Sequence, residues 1–224
     1  MKQIESPSPN HDARPEGTPI DMLVLHYTGM RTKEEALARL VDPEARVSAH
    51  YLIDEAGAVH RLVDETRRAW HAGLAFWRGN RDINARSIGI ELVNPGHEFG
   101  YRAFPQAQME SLAALAQDIL ARHPIPPRNV VGHADVAPTR KQDPGELFDW
   151  QSLAQAGIGL WPLATSEGNT AHFPARLSHY GYDIDDADAA VMAFQRHFRP
   201  RKIDGIADGE CADLLDGLLA LVQL

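Results

Sequence analysis

Short apolar runs alternate along the chain with stretches whose apolar residues recur every three or four positions. Met22-Leu23-Val24-Leu25 is the first such run. It suits a buried strand and ends in His26-Tyr27-Thr28-Gly29, where the glycine marks a turn. Thr32 and Glu35 have capping-box spacing, and Leu37, Leu40 and Val41 form one helical face behind them. Residues 49–54 and 58–63 read as strands joined by the hairpin-length Glu55-Ala56-Gly57, and 87–93 reads as another strand, stopped by Asn94-Pro95-Gly96. After Pro105, a good first helical residue, Met109, Leu112, Leu115, Ala116, Ile119 and Leu120 predict an amphipathic helix that Pro124 closes. Asn129-Val130-Val131-Gly132 predicts a short strand that delivers His133, and 148–156 a further helix. Strands and helices in alternation predict an α/β fold with a mixed central sheet flanked by helices.

The two ends read differently. Residues 1–19 carry Pro7, Pro9, Pro15 and Pro19 and predict an extended N-terminal arm. Three short helices are expected in the tail, at about 175–180, 186–198 and 209–222. Val191, Phe194 and Phe198 share a face of the second, and Leu214, Leu215, Leu218, Leu219 and Val222 crowd one side of the third. A linker is placed near 163–170. The expected division is therefore an arm (1–19), a main α/β domain (20–162) and a small three-helix C-terminal domain (163–224). A unit that small leans on its neighbour for stability.

Composition then removes whole classes of function. Hydrophobic residues make up 44% and charged residues 24%, which excludes a largely disordered chain. The net charge of −9, with −5 of it in residues 163–224, speaks against nucleic-acid binding through a basic field. No apolar stretch reaches the roughly 20 residues of a membrane helix. Cys211 is the single cysteine, so zinc sites of the multi-Cys kind and intrachain disulfides are out, and a bound metal is expected to be held by imidazole and carboxylate. No signal peptide follows Lys2, so a cytoplasmic protein is expected; one whose leader had been removed would read the same and be periplasmic.

Some residues stand out chemically. His133 follows a strand, where functional groups gather. Ten residues on, Asp143 precedes Pro144, which favours extended backbone, so Lys141 and Asp143 are expected to project into one space. A carboxylate ligand beside an ammonium suits a hydrolytic metal site. His26, at the end of the first strand, would complete a His–His–Asp set with a position open for water. Glu91 sits among Ile88, Ile90 and Leu92, a costly place for a carboxylate without an employment such as general base. Spacing alone does not select these residues from a chain with eleven histidines.

Leu25-His26-Tyr27-Thr28, Val47-Ser48-Ala49-His50-Tyr51, Ala69-Trp70-His71-Ala72-Gly73, Ser87-Ile88-Gly89-Ile90-Glu91 and Gly132-His133 through Asp143-Pro144-Gly145 occur in this order. Together they closely resemble the zinc-dependent N-acetylmuramoyl-L-alanine amidases of the type-2 amidase family, relatives of phage lysozyme-like amidases and animal peptidoglycan-recognition proteins. The resemblance covers roughly residues 20–160. It implies one Zn²⁺ per chain held by His26, His133 and Asp143, with Glu91 as catalytic base and Lys141 as oxyanion stabiliser. The likeness to bacterial enzymes of cell-wall recycling implies cleavage between the lactyl group of (1,6-anhydro-)N-acetylmuramic acid and L-alanine of the stem peptide. Peptidoglycan fragments are then the partners, and a monomer is expected. Val191-Met192-Ala193-Phe194-Gln195 and Ile203-Asp204-Gly205-Ile206-Ala207-Asp208-Gly209 resemble a three-helix peptidoglycan-binding-like domain.

Around this set, His50, Tyr51, Trp70, His71, Arg81 and Asn84 are candidates to line the substrate groove, with Arg86 beside them; packing or surface roles are the competing readings. His60, His97, His123, His172, His179 and His197 are expected to face solvent or cap helices, and Cys211 to be a small core residue. Three functions compete: the zinc amidase, a non-catalytic recognition module of the same fold, and a metallohydrolase of another amide. An enzyme of the envelope that acts on intact sacculi is the variant of the first.

Overall fold

A computed structural model describes residues 3–163 and 168–222. The strands and α-helices before the long helix are β1 (Gln3–Glu5), β2 (His11–Ala13), β3 (Met22–Tyr27), α1 (Lys33–Val41), β4 (Tyr51–Ile53), β5 (Val59–Arg61), β6 (Arg67–Ala69), α2 (Ile83–Arg86), β7 (Ser87–Leu92) and α3 (Gly96–Phe99). Then follow α4 (Gln106–Arg122), β8 (Val130–Gly132), α5 (His133–Val136), α6 (Trp150–Gln155), α7 (Phe173–Tyr180), α8 (Ala187–Phe198) and α9 (Gly209–Val222). Helix starts follow local chemistry. Thr32 caps α1 by accepting from Glu35 N, and Asp186 caps α8 by accepting from Ala189 N; each such cap is worth about 1 kcal/mol.

One mixed six-stranded sheet runs in the order β1-β5-β4-β7-β3-β8. The pairs β1–β5, β4–β7, β7–β3 and β3–β8 are parallel, and the β4–β5 hairpin is antiparallel. The N-terminal segment is woven into the fold: β1 extends the sheet edge, and β2 pairs with β6 in a separate ribbon. Ser8 and Asn10 between them are buried.

Alternation along the central strands sends side chains to two cores. Leu23 and Leu25 of β3, Ile88, Ile90 and Leu92 of β7, and Val130 of β8 pack with Leu112, Leu115, Ala116 and Ile119 of α4. On the other face, Met22, Val24 and Val131 meet Phe173, Leu177, Tyr182, Phe194, Phe198 and Leu215. The C-terminal helices therefore cover the sheet face opposite α4, and one core runs from β3 into α9. Cys211 is buried within it. Of the segment read as a linker, residues 164–167 lie outside the described residues. Among the described residues, no helix is long and apolar enough to cross a membrane.

The strand register places the chemistry. In parallel pairing His26 stands opposite Glu91, and Leu25 opposite Gly132, the residue before His133. Three neighbouring parallel strands thus deliver His26, Glu91 and His133 to one carboxyl edge, where open α/β sheets place their ligands.

Candidate metal centre and active site

His26, His133 and Asp143 come together as a buried triangle. His26 Nδ1, His133 Nδ1 and Asp143 Oδ2 are each 3.0 Å from the other two. A backbone hydrogen bond from Ala134 N to Asp143 O, 2.9 Å, holds the two loops in register.

The surrounding hydrogen bonds fix what these atoms can be. Ser87 Oγ donates to Ile83 O at 2.7 Å, so it accepts from His71 Nε2 at 3.0 Å. His71 Nδ1 is then the bare nitrogen and accepts from His26 Nε2–H at 3.0 Å. That leaves His26 Nδ1 without a proton in the neutral ring. Likewise His133 Nε2–H donates to Ala72 O at 3.0 Å, which leaves Nδ1 bare. Burial holds the His26 pKa down at about 4, with the charge of His133 adding to the effect against the pull of Asp143. Burial, with His26 next to it, also drops His71 well below the usual histidine range. Two nitrogen lone pairs and a carboxylate oxygen at 3.0 Å, with no hydrogen between them, repel one another unless a cation joins them. The donor set, two imidazoles and one carboxylate, fits a divalent metal of the zinc kind.

Glu91 and Lys141 line the same cleft, a cavity of about 590 Å³ that also reaches Tyr27, Trp70 and His97. Glu91 Oε2 is enclosed and, among the described residues, has no hydrogen-bond partner. Burial, with the negative charge of Asp143 next, raises the Glu91 pKa well above the usual carboxylate range, and Lys141 pulls it back in part. Gly89 completes the arrangement: a Cβ there would lie 2.5 Å from His71 Cγ, so only glycine lets the ring lie against β7.

The family model for N-acetylmuramoyl-L-alanine amidase matches residues 16–146. The chain belongs to this family. Its sequence is 41% identical to the N-acetylmuramoyl-L-alanine amidase AmiD of Escherichia coli over 89% of this chain and 82% of that protein. The 1,6-anhydro-N-acetylmuramyl-L-alanine amidase AmpD of Enterobacter cloacae is 37% identical over 64% of this chain and 84% of its own length. Among solved structures, AmiD of Escherichia coli in complex with anhydro-N-acetylmuramic acid-L-Ala-D-gamma-Glu-L-Lys superposes with a TM-score of 0.83 at 39% identity, covering 92% of each chain. AmpDh3 of Pseudomonas aeruginosa with anhydromuramic pentapeptide gives a TM-score of 0.83 at 33% identity, covering 93% of this chain and 94% of that one.

The outer candidates sort differently in this amidase. Trp70 lines the cleft. His71 reaches the cleft wall, but both ring nitrogens are committed to His26 and Ser87, so it orients His26 and is not free to grip substrate. His50 is buried behind β7: Nδ1 accepts from Gly89 N and Nε2 donates to Arg67 O. Tyr51 points away from the cleft and donates to Glu65 at 2.7 Å. Asn84 is buried, its Oδ1 accepting from His71 N and Ala72 N. Arg81 lies over the Phe76 ring and pairs with Asp183 at 3.7 Å, beside a different cavity. Arg86 is paired with Asp21. His50, Tyr51, Asn84 and Arg86 thus spend their hydrogen bonds within the fold, while Arg81 lies outside the cleft that holds Glu91.

Sequence reasoning missed Tyr27 and His97 as cleft residues, although Tyr27 stood inside a quoted motif. His97 stacks on Tyr101 and bonds Tyr27 Oη at 2.9 Å. His60 and His197, read as facing solvent or capping helices, are both buried.

The Tyr51 contact yields a stability prediction. Burial works against the Glu65 carboxylate, but hydrogen bonds from Arg122, Tyr51 and His123 outweigh it and hold its pKa at about 2, against 4.5 in the unfolded chain. A depressed acid stabilises the fold above pH 4.5 and loses that contribution as pH falls toward 2. Glu65→Gln should therefore be less stable than wild type at pH 7, with the gap closing below pH 4.5. Denaturant titrations at several pH values check this; a constant gap would contradict it.

Proposed function

We propose that this amidase is a zinc hydrolase that cleaves the amide between the lactyl group of (1,6-anhydro-)N-acetylmuramic acid and L-alanine of the peptidoglycan stem peptide. The observation that carries the reading is the enclosed, unpartnered Glu91 Oε2 beside the His26–His133–Asp143 triangle in one cleft. A buried carboxylate oxygen without a partner is costly, and proton transfer gives it a use. A non-catalytic recognition module would have no need of it.

Zinc held by His26 Nδ1, His133 Nδ1 and Asp143 Oδ2 would supply Lewis-acid chemistry, making water acidic and an amide carbonyl electrophilic. Glu91 takes the proton of the attacking water at Oε2 as the new C–O bond forms. Its pKa, raised by burial, makes it a stronger proton acceptor than an ordinary carboxylate. Lys141 lines the same cleft, and its ammonium stabilises the negative charge that grows on the carbonyl oxygen. As the C–N bond breaks, Glu91 returns its proton to the L-alanine nitrogen. All five residues belong to one chain, so a monomer with one zinc suffices.

Loss of an oxyanion donor costs about 10²–10³ in rate in other hydrolases. Lys141→Ala should show a fall of that order in kcat with zinc still bound, read by steady-state kinetics and metal analysis of the same sample. Loss of zinc from the variant would refute the assigned role.

The substrate class is tested by paired digestion. One sample holds anhydro-muramyl tripeptide, the other purified sacculi, and products are read by mass spectrometry. Release of tripeptide from the small substrate alone is the result expected of a recycling enzyme of the cytoplasm. Stem peptides released from sacculi as well would favour an envelope enzyme and give the peptidoglycan-binding-like segment, residues 163–224, a wall to bind. Cleavage of neither by zinc-loaded protein would overturn the proposal.

A further inference from the structure

Asp135 lies two residues after His133, in α5, and is 2% exposed. Its Oδ2 accepts from Gly132 N at 2.7 Å, which closes the turn that delivers His133. The same carboxylate receives two more hydrogen bonds, both from the C-terminal segment. Tyr182 Oη donates to Oδ1 at 2.6 Å, and His197 Nδ1 donates to Oδ2 at 2.7 Å. His197 itself is immobilised between flat rings: Trp150 and Phe198 stack on it with centroids 3.8 Å away, at 20° and 9°. Trp150 opens α6, just beyond the loop that carries Asp143. Helix α8 packs on α5, and its His197 touches Asp135 of α5 and Trp150 of α6.

We infer that Tyr182 and His197 are positioning residues for the metal centre, acting through Asp135 on the Gly132–His133 turn. A buried carboxylate with three donors has one favourable orientation. With two donors removed, its solvation must come from elsewhere, and it turns away from Gly132 N to find it. The turn then loses the bond that sets the direction of His133. The Ala72 bond constrains only the far edge of the ring, so Nδ1 is aimed by the turn and the ring bond together. On this account the C-terminal helices are part of the hydrolytic centre, whether or not they also touch wall. The inference rests on His133 being a metal ligand.

The test uses full-length protein loaded with zinc for affinity and with cobalt for its visible spectrum. The variants are Tyr182→Phe, His197→Leu, the double Tyr182→Phe/His197→Leu, and His197→Asn, whose amide N–H can stand where Nδ1–H was. Loss of outer-shell support commonly costs 10–100-fold in metal affinity. The double variant should lose about that much zinc affinity in chelator competition, shift the cobalt bands and lower kcat with little change in KM; His197→Asn should recover most of it. A folded double variant with wild-type zinc affinity and an unchanged cobalt spectrum would overturn the inference. If the double variant does not fold, Tyr182→Phe, which loses one oxygen atom, decides on the same two readouts. Wild-type protein that binds neither metal would instead overturn the metal centre itself, and this inference with it.

Discussion

Replacing Glu91 by Gln is expected to lower kcat by about 10²–10⁴-fold, the range general acid–base catalysis supplies, while zinc stays bound. The side chain keeps its size, so the β7 strand and the His71 packing against Gly89 are undisturbed. What is lost is the ability to take a proton from water and return it to the leaving nitrogen. Desolvation beside Asp143 is what raises the affinity of Glu91 for that proton, and an amide has no equivalent. Steady-state kinetics on anhydro-muramyl tripeptide, with zinc content measured on the same protein, give the answer. Wild-type turnover would remove Glu91 from the mechanism; a loss of zinc would recast it as structural.

Asp143→Asn is expected to abolish tight zinc binding, with an affinity loss beyond the 10–100-fold typical of outer-shell changes. Asp143 is the one anionic member of the triangle, and both nitrogens facing it are the bare atoms of neutral rings. An amide oxygen keeps the shape and gives up the charge. The consequence extends to stability. A ligand at 100 times its dissociation constant adds about 2.7 kcal/mol to the folded state, so zinc should raise the thermal midpoint of wild type and leave that of Asp143→Asn unchanged. Equal zinc-induced shifts in the two proteins would remove Asp143 from the ligand set.

Much of the fold can be read locally because its elements carry full periods. The residues 112, 115, 116 and 119 that mark α4 as amphipathic are those that pack under the sheet. Val191, Phe194 and Phe198 of α8 likewise enter the core. The run Ser87–Leu92 shows its two faces by strict alternation, which is why Glu91 stands out. Strands β1 and β2 escape because three residues, two of them polar, are too few to show a period, and their pairing partners lie more than fifty positions away. The outer site candidates fail for another reason. Residue type says that His50, Tyr51 and Asn84 can make hydrogen bonds, not whether the fold has already used them. Asp135 is the clearest case: Tyr182 and His197 are 47 and 62 residues away, and no local pattern links them. The His26–His133–Asp143 triangle is legible only through several motifs in order, since the histidines become neighbours through parallel strand register and Asp143 through a loop bonded back to Ala134.

The central claim is metal-dependent cleavage at the lactyl–L-alanine amide. Mass spectrometry of anhydro-muramyl tripeptide incubated with native, chelator-treated and zinc-restored protein tests it most directly. Free tripeptide and anhydro-N-acetylmuramic acid should form with the first, not with the second, and again with the third. Undiminished cleavage after complete removal of metal, or an intact substrate in all three samples, would contradict the account.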